Sequence, residues 1–170
     1  MASGRTHDII NLTAFPFFTY YLRPESFPGF FAGYMIGTFF LSPDNDIFHS
    51  KPNKRWKFLR FIWKPYTKIF SHRGLSHIPV LGMITKLLYL SLVFLLLIVL
   101  IIVPVFLLSN YLKVKFLDVN IGNILDMNTF LTLIKNPFSV SFLVGLFLAE
   151  FVHIATDIIF SSIKKLKKAF

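Results

Sequence analysis

Residues 87–108 contain no charged side chain. At about 1.5 Å of rise per residue, a helix of that length reaches the roughly 30 Å of a bilayer's hydrocarbon core. An uncharged helix this long would be unusual inside a chain of only 170 residues, so the run predicts a transmembrane span. Pro104 is compatible with it, because neighbouring helices in a membrane satisfy the carbonyl that a proline frees. Composition agrees: 55% of the residues are hydrophobic and 22 are Phe, with a mean hydropathy of +0.65, well above a soluble average.

The span sets the frame for the other apolar stretches, and together they predict a single all-α domain over residues 1–170, a small integral membrane bundle of about four apolar helices. Segments 9–22 and 27–41 are shorter than about twenty residues, contain Pro16 and Pro28, and are separated by "RPES". They predict a helical hairpin that is tilted or crosses only partly. Segment 138–160 has spanning length but carries Glu150, His153 and Asp157 in its second half, and ionisable groups inside an apolar span face a bundle interior or a site. The opening "MASGRTHDIINL" lacks the apolar core of a signal peptide, so the N-terminus is expected to be retained.

Charge orients the bundle. Eight of the 18 basic residues lie at Lys51, Lys54, Arg55, Lys57, Arg60, Lys64, Lys68 and Arg73, and the terminal "KKLKK" adds four. By the positive-inside rule the loop 49–73 and the C-terminus are cytoplasmic, and four crossings bring the N-terminus to the same side. The aromatics interleaved in "KRWKFLRFIWKPYTKIF" predict an interfacial helix on anionic lipid, with Trp56, Phe58, Phe61, Trp63, Tyr66 and Phe70 as its apolar contact. A nucleic-acid patch uses the same ingredients, but a segment tethered between spans and rich in Trp favours the membrane surface, and no nucleic acid is expected.

With this topology the ligand-type residues converge. His7 and Asp8 open the first helix, Asp44 and Asp46 in "LSPDNDI" close the second, His72 and His77 open the third, and His153 and Asp157 lie toward the cytoplasmic end of the fourth. His153 and Asp157 are i and i+4 on one helical face, with Glu150 at i−3 on the same stripe. His72 and His77 would lie about 140° apart on a continuous helix, so His72 is placed in the loop before the helix. Gly74 is expected to make the turn, Ser76 to cap, and His77 to project from the first helical turn. Each residue alone has an ordinary reading as a turn former, cap or interior hydrogen bond. Four helix ends delivering them to one layer predict a metal site. With no cysteine in the chain, its donors are nitrogen and oxygen.

The motifs "SGRTHD", "GTFFLSPDND", "RWKFLRFIWKPY", "HRGLSH" and "EFVHIATD" together resemble a bacterial and cyanobacterial family of uncharacterised metal-binding membrane proteins. More distantly they are similar to the YdjM-like inner-membrane metal-dependent hydrolases. The resemblance covers almost the whole chain except the connection 110–137. It implies a metal-binding integral membrane protein of a bacterial inner membrane or a thylakoid, with ligands at His7, Asp44, Asp46, His72, His77, His153 and Asp157. Asn45 stands where relatives tend to have an apolar residue. The ligand order is also similar to the zinc-dependent phospholipase C and single-strand nuclease superfamily, with fewer ligands than a trinuclear site.

Two functions are expected from this. One is a metal-dependent hydrolase, a phosphodiesterase or phosphatase acting on a lipid headgroup, with one or two divalent ions, zinc first and manganese or magnesium as alternatives. Arg73 would clamp the phosphate, and Glu150 or Asp8 would orient ligands or act as the base. The other is a non-enzymatic membrane protein whose metal ties helix ends together. A third reading has no metal, with the same groups relaying protons.

Overall fold

The computed structural model describes residues 3–70, 74–112 and 127–169, and every element among them is helical. Helix α1 spans Gly4–Leu22 and α2 spans Phe27–Phe39. Each starts on a serine: Ser3 Oγ accepts from the Thr6 amide at 3.2 Å and Ser26 Oγ from the Gly29 amide at 3.3 Å, satisfying donors that a helix start leaves open. Between them Arg23 adopts a left-handed conformation, φ 44°, and its N–H caps the Thr19 carbonyl. The two form the expected hairpin. Phe15 packs on Phe30 and Tyr34, and the Tyr34 hydroxyl donates to the Asn11 carbonyl at 3.0 Å.

The long C-terminal helix, Pro137–Ala169, runs parallel to α2 in very close contact. In chain order it is α7, because Met127–Lys135 forms a short helix α6 before it. Gly33 explains the closeness: a Cβ there would overlap the Phe142 carbonyl oxygen, just as one at Gly145 would overlap the Phe30 carbonyl. Small residues on facing helices let the backbones approach to a distance that any side chain forbids. This packing places the end of α2 beside the middle of α7, where the ligand-type residues lie.

The basic segment departs from expectation. In place of one interfacial helix it folds as α3 (Lys51–Arg55), a 3₁₀ turn (Lys57–Ile62) and α4 (Trp63–Ile69). Lys57, at φ 51°, breaks the helical path, a conformation that L-residues avoid over any length. Trp63 and Tyr66, expected against lipid, are fully buried in a cluster with Leu41 and Leu146, and the Trp56 indole donates to the Phe40 carbonyl at 3.1 Å. Phe58 and Phe61 do face outward, 79% and 64% exposed.

Helix α5, Leu81–Leu112, contains the uncharged run. The turn directly before it is made at Val80, φ 71°, while the Gly74 carbonyl accepts from the His77 amide at 3.0 Å, with no positive φ at any described glycine. Ser76 sits in a separate 3₁₀ turn, Leu75–His77, and does not cap α5. From residue 91 onward nearly every α5 side chain is exposed. Helices α5 and α7 have the length and apolarity to cross a membrane. Helices α1 and α2, 19 and 13 residues long, do not combine length and apolarity in this way, so of the four crossings expected the described residues supply two helices of spanning character beside a shorter hairpin.

At its base α5 is fastened to the body by polar contacts. The Tyr89 hydroxyl donates to the Ile62 carbonyl, Tyr66 and Thr85 share a hydrogen bond of 3.1 Å, and Lys86 Nζ meets Glu150 Oε2 at 2.8 Å. Both ions of this last pair are 1% exposed. Lys86→Met therefore strands a buried carboxylate, and the expected loss is about 3–5 kcal/mol of unfolding free energy. The double variant Lys86→Met, Glu150→Leu should recover most of it in denaturant titrations of the solubilised protein; a single variant as stable as wild type would show that the pair does not anchor α5.

Candidate metal centre

Asp44 and Asp46 come from the turn Pro43–Asp46, which directly follows α2. Asn45, between them, is buried and fixes the turn: its side-chain amide donates to Asn53 Oδ1 at 2.9 Å, and Asn53 donates back to the carbonyls of Asn45 and Ile47 at 3.0 and 2.9 Å. The polar residue that interrupts the two aspartates is thus a structural bolt to α3. His77 comes from the 3₁₀ turn before α5, and His153 and Asp157 from successive turns of α7.

Donor atoms of Asp44, His77, His153 and Asp157 all lie within 4.8 Å of one another. Asp44 Oδ1 is 3.5 Å from His153 Nε2 and 3.8 Å from His77 Nε2, and Asp157 Oδ2 is 4.0 Å from each imidazole nitrogen. Ligands at about 2.0–2.2 Å from a tetrahedral ion stand roughly 3.3–3.6 Å apart, so these four pairs need contract by about half an ångström or less to share one, and no pair in the group is wider than 4.8 Å. Asp44 Oδ1 and His153 Nε2 are buried with no hydrogen-bond partner among the described residues. A buried polar atom left so is strongly unfavourable, and a cation between them would satisfy both. Two imidazoles and two carboxylates suit a divalent ion of intermediate hardness.

Surrounding groups aim the donors. His77 Nδ1 faces Asp46 Oδ2 at 3.3 Å, and that same oxygen accepts from Ser76 Oγ at 2.6 Å. Ser42 Oγ lies 3.3 Å from His153 Nδ1. In each histidine the Nδ1 side is held by an oxygen partner, which leaves Nε2 for the centre, the arrangement by which ligand imidazoles are oriented. Asp44 is pushed up by burial, but the surrounding imidazoles, His153 foremost, outweigh that and hold its carboxyl below the usual range. It stays anionic.

His7 stands beside this cluster. Its ring is stacked on His153 with centroids 3.7 Å apart, and its Nε2 is 3.2 Å from Asp157 Oδ1, the oxygen turned away from the four-atom group. Burial, reinforced by the neighbouring His153 ring, lowers the His7 pKa. Asp8 points elsewhere, to Lys51 and, at 2.6 Å, to Arg55 Nη2, tying α1 to α3. Glu150 is held by Lys86 one turn before His153. His49 bonds Arg60 at 2.9 Å. The expected ligand His72 and phosphate clamp Arg73 lie outside the described residues.

Sequence reasoning did not foresee Ser42 and Ser76 as partners of the site, although both stand in the motifs "LSPD" and "GLSH", next to ligand residues. Their test is indirect. Asp46→Asn weakens the carboxylate that holds His77 and leaves all four clustered donors in place, so metal affinity is expected to fall about 10–100-fold. Competition against a chromogenic chelator measures this, and an unchanged affinity would show that Asp46 does not orient the ligand.

Residues 2–167 match the family described as uncharacterized metal-binding protein (DUF2227). A protein of Aquifex aeolicus (strain VF5), described as an uncharacterized protein, is 49% identical over 133 residues, covering 78% of this chain and 90% of the relative. No solved structure matches the chain. The chain belongs to this metal-binding family.

Proposed function

We propose that this member of the metal-binding family is a membrane-embedded, metal-dependent hydrolase of phosphate esters, working at the cytoplasmic ends of its helices. The observation that carries the reading is that a cleft reaches the cluster. His77 and Asp157 form part of the wall of a cleft of about 330 Å³, so a substrate lying in it is in contact with two of the ligand residues, whose donor atoms are themselves buried behind the wall. A divalent ion held by Asp44, His77, His153 and Asp157 would act as a Lewis acid toward a phosphoryl oxygen and activate water. Zinc is the proposed metal, from the two imidazoles, with manganese or magnesium as alternatives. His7, neutral and in contact with Asp157 from outside the four, is placed to take up a proton at its imidazole. Asp8 and Glu150 are each engaged by cations, which disfavours them as the base.

The membrane part rests on α5, whose outward apolar side chains have no protein neighbour among the described residues over most of its length. Burial of such a surface in hydrocarbon is favourable and its exposure to water is not. Lys51 and Arg55 pair with Asp8 beside His7, and the basic residues of 164–168 follow Asp157 on α7, which supports cytoplasmic termini and a bacterial inner or thylakoid membrane.

The competing reading is a metal that only ties four segments together, since four protein donors complete a tetrahedron as structural sites do. Release of inorganic phosphate from a panel of phospholipids and soluble phosphate esters separates the two. The metal-loaded wild type is expected to turn over at least one, and His7→Ala to lose about 100-fold in rate or more while keeping its metal, in the range of general acid–base catalysis. Full metal occupancy without turnover of any substrate would favour the structural reading.

A further inference from the structure

Six of the seven described residues lining the cleft come from α7, at positions 154, 157, 158, 161, 162 and 165. That spacing of three and one places them on one helical face, so the cleft is a strip with a chemical gradient along it. At one end is the ligand Asp157, flanked by Ile154 and Ile158; at the other are Ser161, Ser162 and Lys165. Asp157 is the single acidic group among the described lining residues, and once a cation sits beside it none of them repels an anion. By helix rise Ser161 lies about 6 Å and Lys165 about 12 Å beyond Asp157, and the lysine stem is long enough to bend back along the strip.

We propose that this strip recognises a phosphate ester bearing a second anionic group, as in a phospholipid with a phosphorylated headgroup, and that Lys165 with Ser161 and Ser162 binds that second group. The inference rests on the hydrolase reading and names its substrate class. Inorganic phosphate at the donors is too short to reach Lys165, whereas a second phosphate a few carbon atoms away spans the gap. Direction favours the lipid form. The uncharged part of α7, residues 137–149, leads away from Asp157 opposite to Lys165, so a phosphate at the centre would place acyl chains toward the apolar stretch and the headgroup along the serines. Lys165 interacts with the second anion as a point charge, and the serine hydroxyls donate to its oxygens.

The test is equilibrium binding, with metal-loaded full-length protein in nanodiscs of phosphatidylcholine. Glycerol 3-phosphate and propane-1,3-diol bisphosphate are titrated against wild type, Lys165→Glu and the charge-matched Lys164→Glu, which lies outside the lining. The bisphosphate is expected to bind wild type and Lys164→Glu about 10-fold tighter than the monophosphate or more, and that preference to vanish in Lys165→Glu. No preference in wild type, or equal loss in both variants, would overturn the proposal. Repeating the comparison with a headgroup-phosphorylated phospholipid in the nanodisc separates the sources: a further Lys165-dependent gain supports the lipid, and none supports a soluble ester. Because binding is read without turnover, a protein that shows the preference but hydrolyses nothing sinks the hydrolase reading and not this site.

Discussion

Purified His153→Ala is expected to carry almost no metal. His153 supplies a central donor, 3.5 Å from Asp44 and 4.0 Å from Asp157, and its ring also supports the stacked His7. Weakening a group that merely orients a ligand lowers affinity about 10–100-fold; removing a ligand and its stacking support should lower it further. A second readout follows from linkage. An ion bound at a thousand times its dissociation constant stabilises the fold by about 4 kcal/mol, and without it Asp44, Asp46 and Asp157 are left as close like charges. Chelation should therefore lower the melting temperature of wild type and barely affect His153→Ala. The control is His49→Ala, whose histidine bonds Arg60 away from the centre. Metal content in His153→Ala equal to wild type by elemental analysis would refute the ligand assignment.

Gly33→Leu should have a comparable effect from well outside the site. Even a single Cβ at this position overlaps the Phe142 carbonyl, and backbone cannot rotate away as a side chain can. Overpacking of a tight interior commonly destabilises by about 1–3 kcal/mol, and a whole leucine between two helix backbones should reach or exceed the upper figure. Helix α2 leads into the Asp44 turn and α7 carries His153 and Asp157, so forcing them apart separates the ligands. The expected phenotype is helical circular dichroism largely retained, with the melting temperature depressed and metal lost. Gly4→Ala is the milder comparison: a Cβ there comes to 3.1 Å from the Lys51 Cβ, a tight contact without the backbone overlap found at Gly33. A Gly33→Leu protein with wild-type melting and metal would contradict the close-packing account.

These two positions mark the boundary of what the amino-acid order discloses. His153 and Asp157 were readable because an ionisable pair at i and i+4 inside an apolar helix has few ordinary uses. Asp44 and His77 were readable through topology, since charge bias together with the expected crossings put the ends of their segments in one layer. The structure brings these four together and sets Asp46 and His7 against them. The spacing Gly29, Gly33, Gly37 was equally visible, but a stripe of small residues does not name its partner, and the partner here is more than a hundred residues away in α7. The aromatic segment misled for a related reason. Tryptophan and tyrosine serve a lipid interface and a protein core equally well, and only the break at Lys57 turns Trp63 and Tyr66 inward. The Lys86–Glu150 pair likewise became legible only once both helices were placed, because neither residue specifies its partner by spacing.

The order in which the donors occur along the chain has a consequence for biosynthesis. Asp44 and His77 belong to the first half of the polypeptide, His153 and Asp157 to the last described helix. A nascent chain that has emerged as far as α5 holds half of the donors and a long apolar helix, but no complete centre. Metal capture therefore waits for α7 to be made and docked on the glycine face of α2. Chains truncated before residue 153 should neither retain the ion nor gain its stabilisation, so loading with metal would mark a finished molecule and leave fragments to the cell's proteases.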